Sequence, residues 1–271
     1  MSIDRMQAHY GFTRMPFGRD LPISALHRHR AHNEAVARIG WLIHTHGLGV
    51  LTGEVGAGKT AATRAATATL DPSRNTVVYL PNPAVGVRGI HNAIVTALGV
   101  TPRFHHATLV PQTADALAAE TTERGRHVIL IIDEAHLLDT TQLEAVRMIT
   151  NADMDSASPL TCLLIGQPTL RRRLKLGDMA ALDQRITLRY TMPGLDPDET
   201  RAYITHHVRF AGRSDTLFSD DAIDLIHTTA RGLPRAVNNL AIQALIATYA
   251  QNKTIVDHAA ARTAITEVTT E

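Results

Sequence analysis

The chain has 271 residues, a formal net charge of +1 and 20% charged residues, which suits one large or two modest globular domains. Because the charges nearly balance, the net charge does not indicate a nucleic-acid partner. The single cysteine, Cys162, excludes disulfide bonds within the chain. The N-terminus lacks a signal-peptide core and the longest aliphatic run, VILII at 128–132, is far too short to cross a bilayer, so we predict a soluble cytoplasmic protein.

Five apolar segments, alternating with helical segments, are predicted to be β-strands. The strands are predicted at 48–53, 76–80, 127–133, 160–166 and 185–192, and the helices between them at 59–70, 86–98, 112–124 and 140–151. The central three strands are nearly all apolar, as strands buried on both faces of a parallel sheet are. The alternation predicts an α/β core with helices on both sides of a parallel sheet.

After Pro193-Gly194 the pattern becomes wholly helical. Asp196, Pro197 and Glu199 are placed as the N-cap, N1 and N3 residues of a capping box. Helices are predicted at 197–211, 220–230, 234–250 and 257–268. We therefore predict an α/β core, together with the N-terminal segment, over residues 1–194 and a small helical domain over 195–271.

A glycine-rich octet, GEVGAGKT, joins the first predicted strand to a helix with the spacing G-x-x-x-x-G-K-T. Glycines allow backbone N–H groups to wrap closely around a phosphate, and the helix start points its positive end at the anion. We expect Lys59 to reach the β- and γ-phosphates and the Thr60 hydroxyl to ligate Mg²⁺. The predicted ATP-binding residues are Gly53, Glu54, Val55, Gly56, Ala57, Gly58, Lys59 and Thr60.

A second motif, HVILIIDEAH at 127–136, is an aliphatic strand that ends in two carboxylates. Such a strand places Asp133 at the carboxyl edge of the sheet, where α/β folds bind ligands. Asp133 is predicted to hold Mg²⁺, directly or through water, and Glu134 to be the general base for the attacking water. Following a phosphate-binding loop, this pair predicts ATP hydrolysis and not binding alone.

Three further polar residues lie where predicted elements begin or end. Gln167 follows the fourth strand and is placed to sense the γ-phosphate or to align the water. Arg185 starts the fifth strand and could point into a neighbouring subunit's site, where it would stabilise transition-state charge. Arg235 starts a helix of the small domain and is suited to contact the γ-phosphate. For both arginines the alternative is a solvated surface charge.

The motifs GEVGAGKT, IIDEAHLL, LIGQPTLRRRL, LDQRI and GLPRAVNNL, with the opening YGFTRMPFG, resemble the AAA+ ATPases of the secretion protein A (ExeA/GspA) type. That type is similar to the transposition helper ATPases TnsC and TniB and, more distantly, to MuB and the Orc/Cdc6 loaders. The resemblance implies a five-stranded core of order 5-1-4-3-2 with a helical lid. It also implies a homo-oligomer, a ring or a filament, with ATP at subunit interfaces.

The resemblance also implies residue roles. By position, Lys59 and Thr60 match Walker A and Asp133 and Glu134 match Walker B. Gln167 resembles sensor 1, which is more often Asn or Thr, while Arg185 resembles the arginine finger and Arg235 sensor 2. In similar proteins the segment before the first core helix, here 24–35, packs on the adenine.

Three functions are compatible with these motifs. A secretion-type ATPase would continue into a transmembrane helix and a periplasmic wall-binding domain, whereas this sequence ends after the helical lid. We therefore favour a transposition helper that binds double-stranded DNA without sequence preference and works with a transposase, away from the membrane. The alternatives are a secretion-protein-A-like cytoplasmic ATPase and a non-catalytic nucleotide switch; Glu134 and Arg185 argue against the switch.

Two basic features are candidates for contacting DNA phosphates, a sequence-independent and salt-sensitive mode of binding. One is the loop 81–89 after the second strand, in which Arg88 is the sole charge. The other is a cluster after the fourth strand, for which a solvated helix face or an interface pairing is the alternative. Its members are Arg171, Arg172, Arg173 and Lys175.

Asn82 follows the second strand, which lies beside the third strand in the implied sheet order. In several AAA+ families a polar residue at this place hydrogen-bonds the catalytic glutamate, and the resemblance implies that Asn82 holds Glu134 away from the water until DNA binds. The alternative is that Asn82 only shapes a turn between Pro81 and Pro83.

Overall fold

The computed structural model describes residues 2–18, 20–151 and 158–269, and its strands form one sheet. The strands are Leu48–Thr52 (β1), Asn75–Leu80 (β2), His127–Ile132 (β3), Thr161–Gly166 (β4) and Ile186–Thr191 (β5). All neighbouring strands pair in parallel, in the order β2-β3-β4-β1-β5. Read from the other edge this is 5-1-4-3-2, so the predicted fold class and strand order are confirmed.

The helices before and between the strands include several that were not predicted. They are Ile3–Tyr10 (α1), Arg30–His44 (α2), Lys59–Thr67 (α3), Gly86–Ala97 (α4), His106–Thr122 (α5), Thr140–Ile149 (α6), Pro168–Leu174 (α7) and Ala180–Arg185 (α8). The unpredicted helices are α1, α2, α7 and α8. Of these α1, α7 and α8 have eight residues or fewer, too few for a clear apolar period.

Helix α5 begins six residues before its predicted start at residue 112, because Pro111 lies inside it and not at its N-terminus. A proline at this position removes one backbone hydrogen bond. The preceding turn is nevertheless helical, since the N–H of Leu109 donates to the carbonyl of His105 at 2.9 Å. Leu109 is fully buried, and its packing offsets the missing bond.

Both faces of the sheet are covered by helices of the same compact unit, which comprises Glu34–Gly53 and Lys59–Met192. Even-numbered residues of β3, such as Leu130, belong to a core cluster with residues of α4 to α8. Odd-numbered residues such as Ile131 are buried as well. A Cβ on Gly49 would lie 2.4 Å from Leu42 of α2, which places α2 on this second face. Burial on both faces explains the nearly continuous apolar runs of the central strands.

A second compact unit comprises Met1–Asn33, Glu54–Gly58 and Pro193–Glu271. It contains α1 and four further helices: Pro197–Phe210 (α9), Asp220–Ala230 (α10), Pro234–Ala250 (α11) and His258–Thr269 (α12). The predicted capping box of α9 is confirmed: Asp196 accepts from the N–H of Glu199 at 2.7 Å, and Glu199 accepts from the N–H of Asp196 at 3.1 Å.

The N-terminal segment belongs to this helical unit, which corrects its predicted place in a core domain of residues 1–194. Tyr10, Phe12 and Phe17 lie in one apolar cluster with buried residues of α9 to α12. The hydroxyl of Tyr10 donates to the carbonyl of Leu245 at 2.7 Å. Large aromatic side chains bury most area where they find such partners. Further along the chain, the change of unit falls at Pro193, beside the predicted boundary.

Candidate nucleotide-binding site

The glycine-rich octet forms the connection from β1 to α3. Gly56 and Gly58 have φ angles of +83° and +93°, a left-handed region that glycine enters without cost. A Cβ on Gly56 would also lie 2.7 Å from the Cβ of Arg235. The loop therefore requires glycine at position 56 for two independent reasons. Within the loop, the N–H of Ala57 donates to the carbonyl of Glu54 at 3.2 Å, which closes a tight turn of the kind that binds anions.

Lys59 is the first residue of α3, and its side chain folds back over the loop. Its Nζ donates to the carbonyl of Gly53 at 2.8 Å. The ammonium group is thus held at the turn where backbone N–H groups and the positive helix end favour an anion.

Thr60 and Asp133 are brought together across the sheet edge, as expected for a Mg²⁺ site. The Thr60 hydroxyl donates to Oδ2 of Asp133 at 3.1 Å, and the hydroxyl of Tyr79 donates to the same oxygen at 2.9 Å. Oδ1 of Asp133 accepts from the N–H of Glu134 at 2.8 Å. Carboxylate and hydroxyl oxygens are hard ligands of the kind that Mg²⁺ prefers, so these residues fit that ion.

Tyr79 was not predicted as a site residue. Burial, and then the hydrogen bond to Asp133, raises the pKa of Tyr79 to about 12, so its hydroxyl stays protonated and donates at neutral pH. The sequence signal that could have indicated Tyr79 is its position near the end of β2, the strand that pairs with β3, after which Asp133 follows.

Glu134 has a left-handed backbone, with φ of 52° and ψ of 32°. For a residue other than glycine this costs about 1–3 kcal/mol, and such residues cluster at functional sites. Its side chain is 53% exposed, and Oε2 lies 3.3 Å from Nδ1 of His136. The carboxylate is thus accessible to water, as a general base for a water molecule must be.

Asn82 takes the turn-shaping role in this structure. Its side-chain oxygen accepts from the N–H of Ala84 at 3.0 Å. The predicted hydrogen bond to Glu134 would instead use the side-chain NH₂ of Asn82 as donor. In this structure the Glu134 carboxylate lies beside His136, and the contact with Asn82 stays a prediction.

Gln167 and Arg185 lie beside strand ends. Gln167 is the N-cap residue of α7 directly after β4, the neighbour of β3, and so lies at the same sheet edge as Asp133. Arg185 is the last residue of α8, which corrects its predicted place in the fifth strand: the chain stays helical up to Arg185 and extends from Ile186. The pKa of Glu144 is lowered, first by its hydrogen bond with Arg147 and further by the positive charge of the nearby Arg185.

Arg235 lies beside the phosphate-binding loop within the helical unit. It is the second residue of α11, and its N–H donates to the carbonyl of Gly56 at 3.2 Å. Gly232 fixes this helix start, since its φ is +67° and a Cβ would lie 2.0 Å from the carbonyl oxygen of Leu195. The Arg235 side chain is exposed. Its contact with a γ-phosphate stays a prediction.

The predicted basic cluster is divided between different surroundings. Arg171 donates to the hydroxyl of Thr191 at 3.2 Å, and with Lys175 it lines a cavity of about 150 Å³ beside β5. Arg173 instead donates to the carbonyl of His136 at 3.0 Å. Arg172 is exposed. Helical geometry sends adjacent residues in different directions, so four basic residues in sequence need not share one surface.

Arg88 has a neighbour that the sequence did not indicate. Its guanidinium group lies 4.8 Å from the centroid of the Phe104 ring, and Phe104 is 74% exposed. An exposed phenylalanine stacked under an arginine is an unusual surface feature for a chain with so few aromatic residues.

The sheet order, the glycine-rich loop and the paired Thr60 and Asp133 match the AAA+ P-loop fold. Consistent with this, residues 43–174 match the family model described as AAA domain. No helix in the described ranges is long and apolar enough to cross a membrane.

The chain is similar to the general secretion pathway protein A of Aeromonas hydrophila, with 31% identity over 253 residues. The match covers 92% of this chain and 46% of that protein, so the chain spans less than half of its length.

Among solved structures, the ORC2 protein of Aeropyrum pernix has 17% identity and a TM-score of 0.66, covering 93% of this chain and 70% of that one. The Drosophila ORC has 18% identity and a TM-score of 0.62, covering 97% and 65%. At these identities the likeness concerns the fold.

Proposed function

We propose that this chain is a Mg²⁺-dependent ATPase of the secretion-protein-A type that assembles on double-stranded DNA and serves as a transposition helper with a transposase. The observation that supports ATPase activity is the hydrogen bond between the two expected Mg²⁺ ligands: the Asp133 carboxylate accepts from the Thr60 hydroxyl at 3.1 Å. The relative from Aeromonas hydrophila supports the type, and the DNA-bound Drosophila ORC supports DNA as a partner for this fold.

In the proposed reaction the loop N–H groups and Lys59 hold the phosphates. Thr60 and Asp133 would hold Mg²⁺, and the bound ion would supply positive charge to the phosphate oxygens. Glu134 accepts a proton from the water that attacks the γ-phosphate, giving ADP and inorganic phosphate. Gln167 orients that water, and Arg235 contacts the γ-phosphate.

The DNA contact is proposed at Phe104 and Arg88. No acidic residue occurs in the sequence between Asp71 and Asp115, so a polyanion meets no repulsion from that stretch. Gln112 holds the loop that precedes Phe104 in place: its side chain accepts from the N–H of Arg103 at 2.8 Å and donates to the carbonyl of Thr101 at 2.9 Å. A fixed aromatic ring flanked by arginine suits duplex DNA, where the arginine can contact phosphate and the ring can act as an apolar wedge at a base step.

We predict that Arg88→Ala weakens binding to a duplex of random sequence by about 10-fold at low salt and lowers the salt slope by about 1, as for the loss of one phosphate contact. Phe104→Ala should weaken binding by about 5-fold or more, through loss of an apolar wedge and with little change in slope. Fluorescence anisotropy at several salt concentrations measures both effects.

Ile255→Ala and Arg262→Ala, which alter an exposed apolar side chain and an exposed arginine of the helical unit, are the matched controls. Arg171→Ala tests the other candidate surface. If Arg171→Ala weakens DNA binding while the Arg88 and Phe104 variants bind normally, the proposed contact is wrong and DNA binds at α7 instead.

Assembly is proposed to complete the active site through Arg185. We expect Arg185→Ala and Lys59→Ala proteins to be inactive separately and to recover measurable ATP turnover when mixed. In the mixed oligomer some interfaces pair an intact phosphate loop with an intact arginine from the neighbour. Phosphate release assayed across mixing ratios measures the recovery, and no recovery at concentrations where the subunits associate would contradict a role in trans.

The second candidate function is a secretion-protein-A-like ATPase, which the 31% identity to the Aeromonas hydrophila protein favours. Electron microscopy with double-stranded DNA, with and without a non-hydrolysable ATP analogue, distinguishes the two. Nucleotide-dependent rings or filaments on DNA would support the transposition helper. Assembly indifferent to DNA, together with normal ATP turnover, would favour the secretion-type ATPase.

A further inference from the structure

Tyr79 occupies a position from which a long polar side chain can reach the carboxylate of Asp133. In the register of β2 and β3, Tyr79 lies opposite Ile131 and Leu80 opposite Ile132. The N–H of Asp133 continues this pairing by donating to the carbonyl of Leu80 at 2.9 Å. Because side chains alternate along a strand, Tyr79, Ile131 and Asp133 belong to the same face of the sheet.

The rest of β2 fixes the direction of this side chain. Val78 and Leu80 are buried in the core on the opposite face, whereas Val77 and Tyr79 are 40% and 48% exposed. Exchanging the two faces would expose the buried pair to water. Tyr79 is therefore held on the face opposite to Val78 and Leu80, half exposed because β2 is an edge strand, with its hydroxyl 2.9 Å from Oδ2 of Asp133.

The hydrogen bond from Tyr79 constrains its acceptor, the Asp133 carboxylate. Asp133 is only 7% exposed, and its carboxylate receives three donors, from Tyr79, Thr60 and the N–H of Glu134. A carboxylate accepts about four, so it is held in one orientation with capacity left for a cation or a cation-bound water.

We propose that Tyr79 is a positioning residue for Mg²⁺: its hydroxyl holds the Asp133 carboxylate in the orientation that receives the ion. The inference rests on the proposed Mg²⁺-ATP function and extends it to a residue outside the Walker motifs. Partners of this kind fix the direction of a metal ligand without contacting the metal, and their loss weakens metal binding by about 10-fold or more.

The test is Tyr79→Phe in the full chain, which removes one hydroxyl and keeps the ring. Calorimetry with a non-hydrolysable ATP analogue is performed first without divalent ions and then as a titration with magnesium chloride. We expect unchanged affinity for the analogue without Mg²⁺ and a Mg²⁺ requirement raised by about 10-fold. Tyr190→Phe is the matched control, since it removes a hydroxyl from the other edge strand, where Tyr190 lies 3.4 Å from Glu34.

Two results would overturn the inference while leaving the proposed function intact. One is an unchanged Mg²⁺ requirement in Tyr79→Phe; the other is an equal loss of analogue affinity with and without Mg²⁺, which would indicate a purely structural role. If the wild-type chain binds the analogue without any dependence on Mg²⁺, the proposed function fails and this inference fails with it. Thermal unfolding of both variants confirms that the fold is retained.

Discussion

Lys59→Ala is expected to abolish ATP binding. Lys59 is the sole lysine of the phosphate-binding octet, and the other two lysines of the chain are Lys175 and Lys253. Its ammonium group would serve two phosphates, and charge-assisted contacts of about 1.5–3 kcal/mol each correspond to at least about a 100-fold loss of affinity. Alanine has the highest intrinsic helix propensity, so α3 is retained. Calorimetric titration with ATP and Mg²⁺ measures the change.

Lys175→Ala is the control for this experiment, because it removes an equal charge at the end of α7. Its ATP affinity should equal that of the wild type. A near-normal dissociation constant for Lys59→Ala would mean that the octet does not bind the phosphates.

Glu134→Gln is expected to slow ATP turnover by about 100-fold or more while ATP affinity stays near normal. Glutamine keeps the shape of the side chain but cannot accept a proton from water, and general-base catalysis contributes about 10²–10⁴-fold. The left-handed backbone at this position, with φ of 52°, strains both residues alike, so folding stability should change little. Steady-state phosphate release and the ATP dissociation constant are the two measurements.

Retained ATP should also stabilise the assembled form of Glu134→Gln, which sedimentation can detect. Glu123→Gln, an exposed carboxylate at the end of α5, provides the control with unchanged turnover. Wild-type turnover in Glu134→Gln would assign the proton transfer to another group, and His136, 3.3 Å from the Glu134 carboxylate, would be the first candidate.

Local patterns determined the elements that carry the chemistry. The octet predicted the loop before α3 because the chain needs glycine at a positive φ there, as at Gly56. Aliphatic runs predicted each end of every strand to within one residue. The spacing of Asp196 and Glu199 predicted the capping box of α9, which is present. These signals are readable because each depends on residues adjacent in the chain. The strand order, by contrast, came from the family resemblance.

The tertiary structure decided which side chains meet. Tyr79 reaches Asp133 only because β2 and β3 are neighbours in register, and Phe104 lies under Arg88 across a loop that periodicity does not describe. Asn82, predicted to hold Glu134, hydrogen-bonds Ala84 in this structure. Hydrogen bonds between residues distant in sequence depend on distances of a few tenths of an ångström.

The same limit applies to helix ends and domain membership. Arg185 ends a helix of six residues, too short for a 3.6-residue period to distinguish it from the strand that follows. The aromatic residues at the N-terminus, such as Tyr10, are readable as apolar, but not as partners of helices some 200 residues later in the chain. Sequence determined where the proposed phosphate, metal and base residues occur, because their motifs are local. Packing determined their partners, because burial depends on surfaces that only the folded chain brings together.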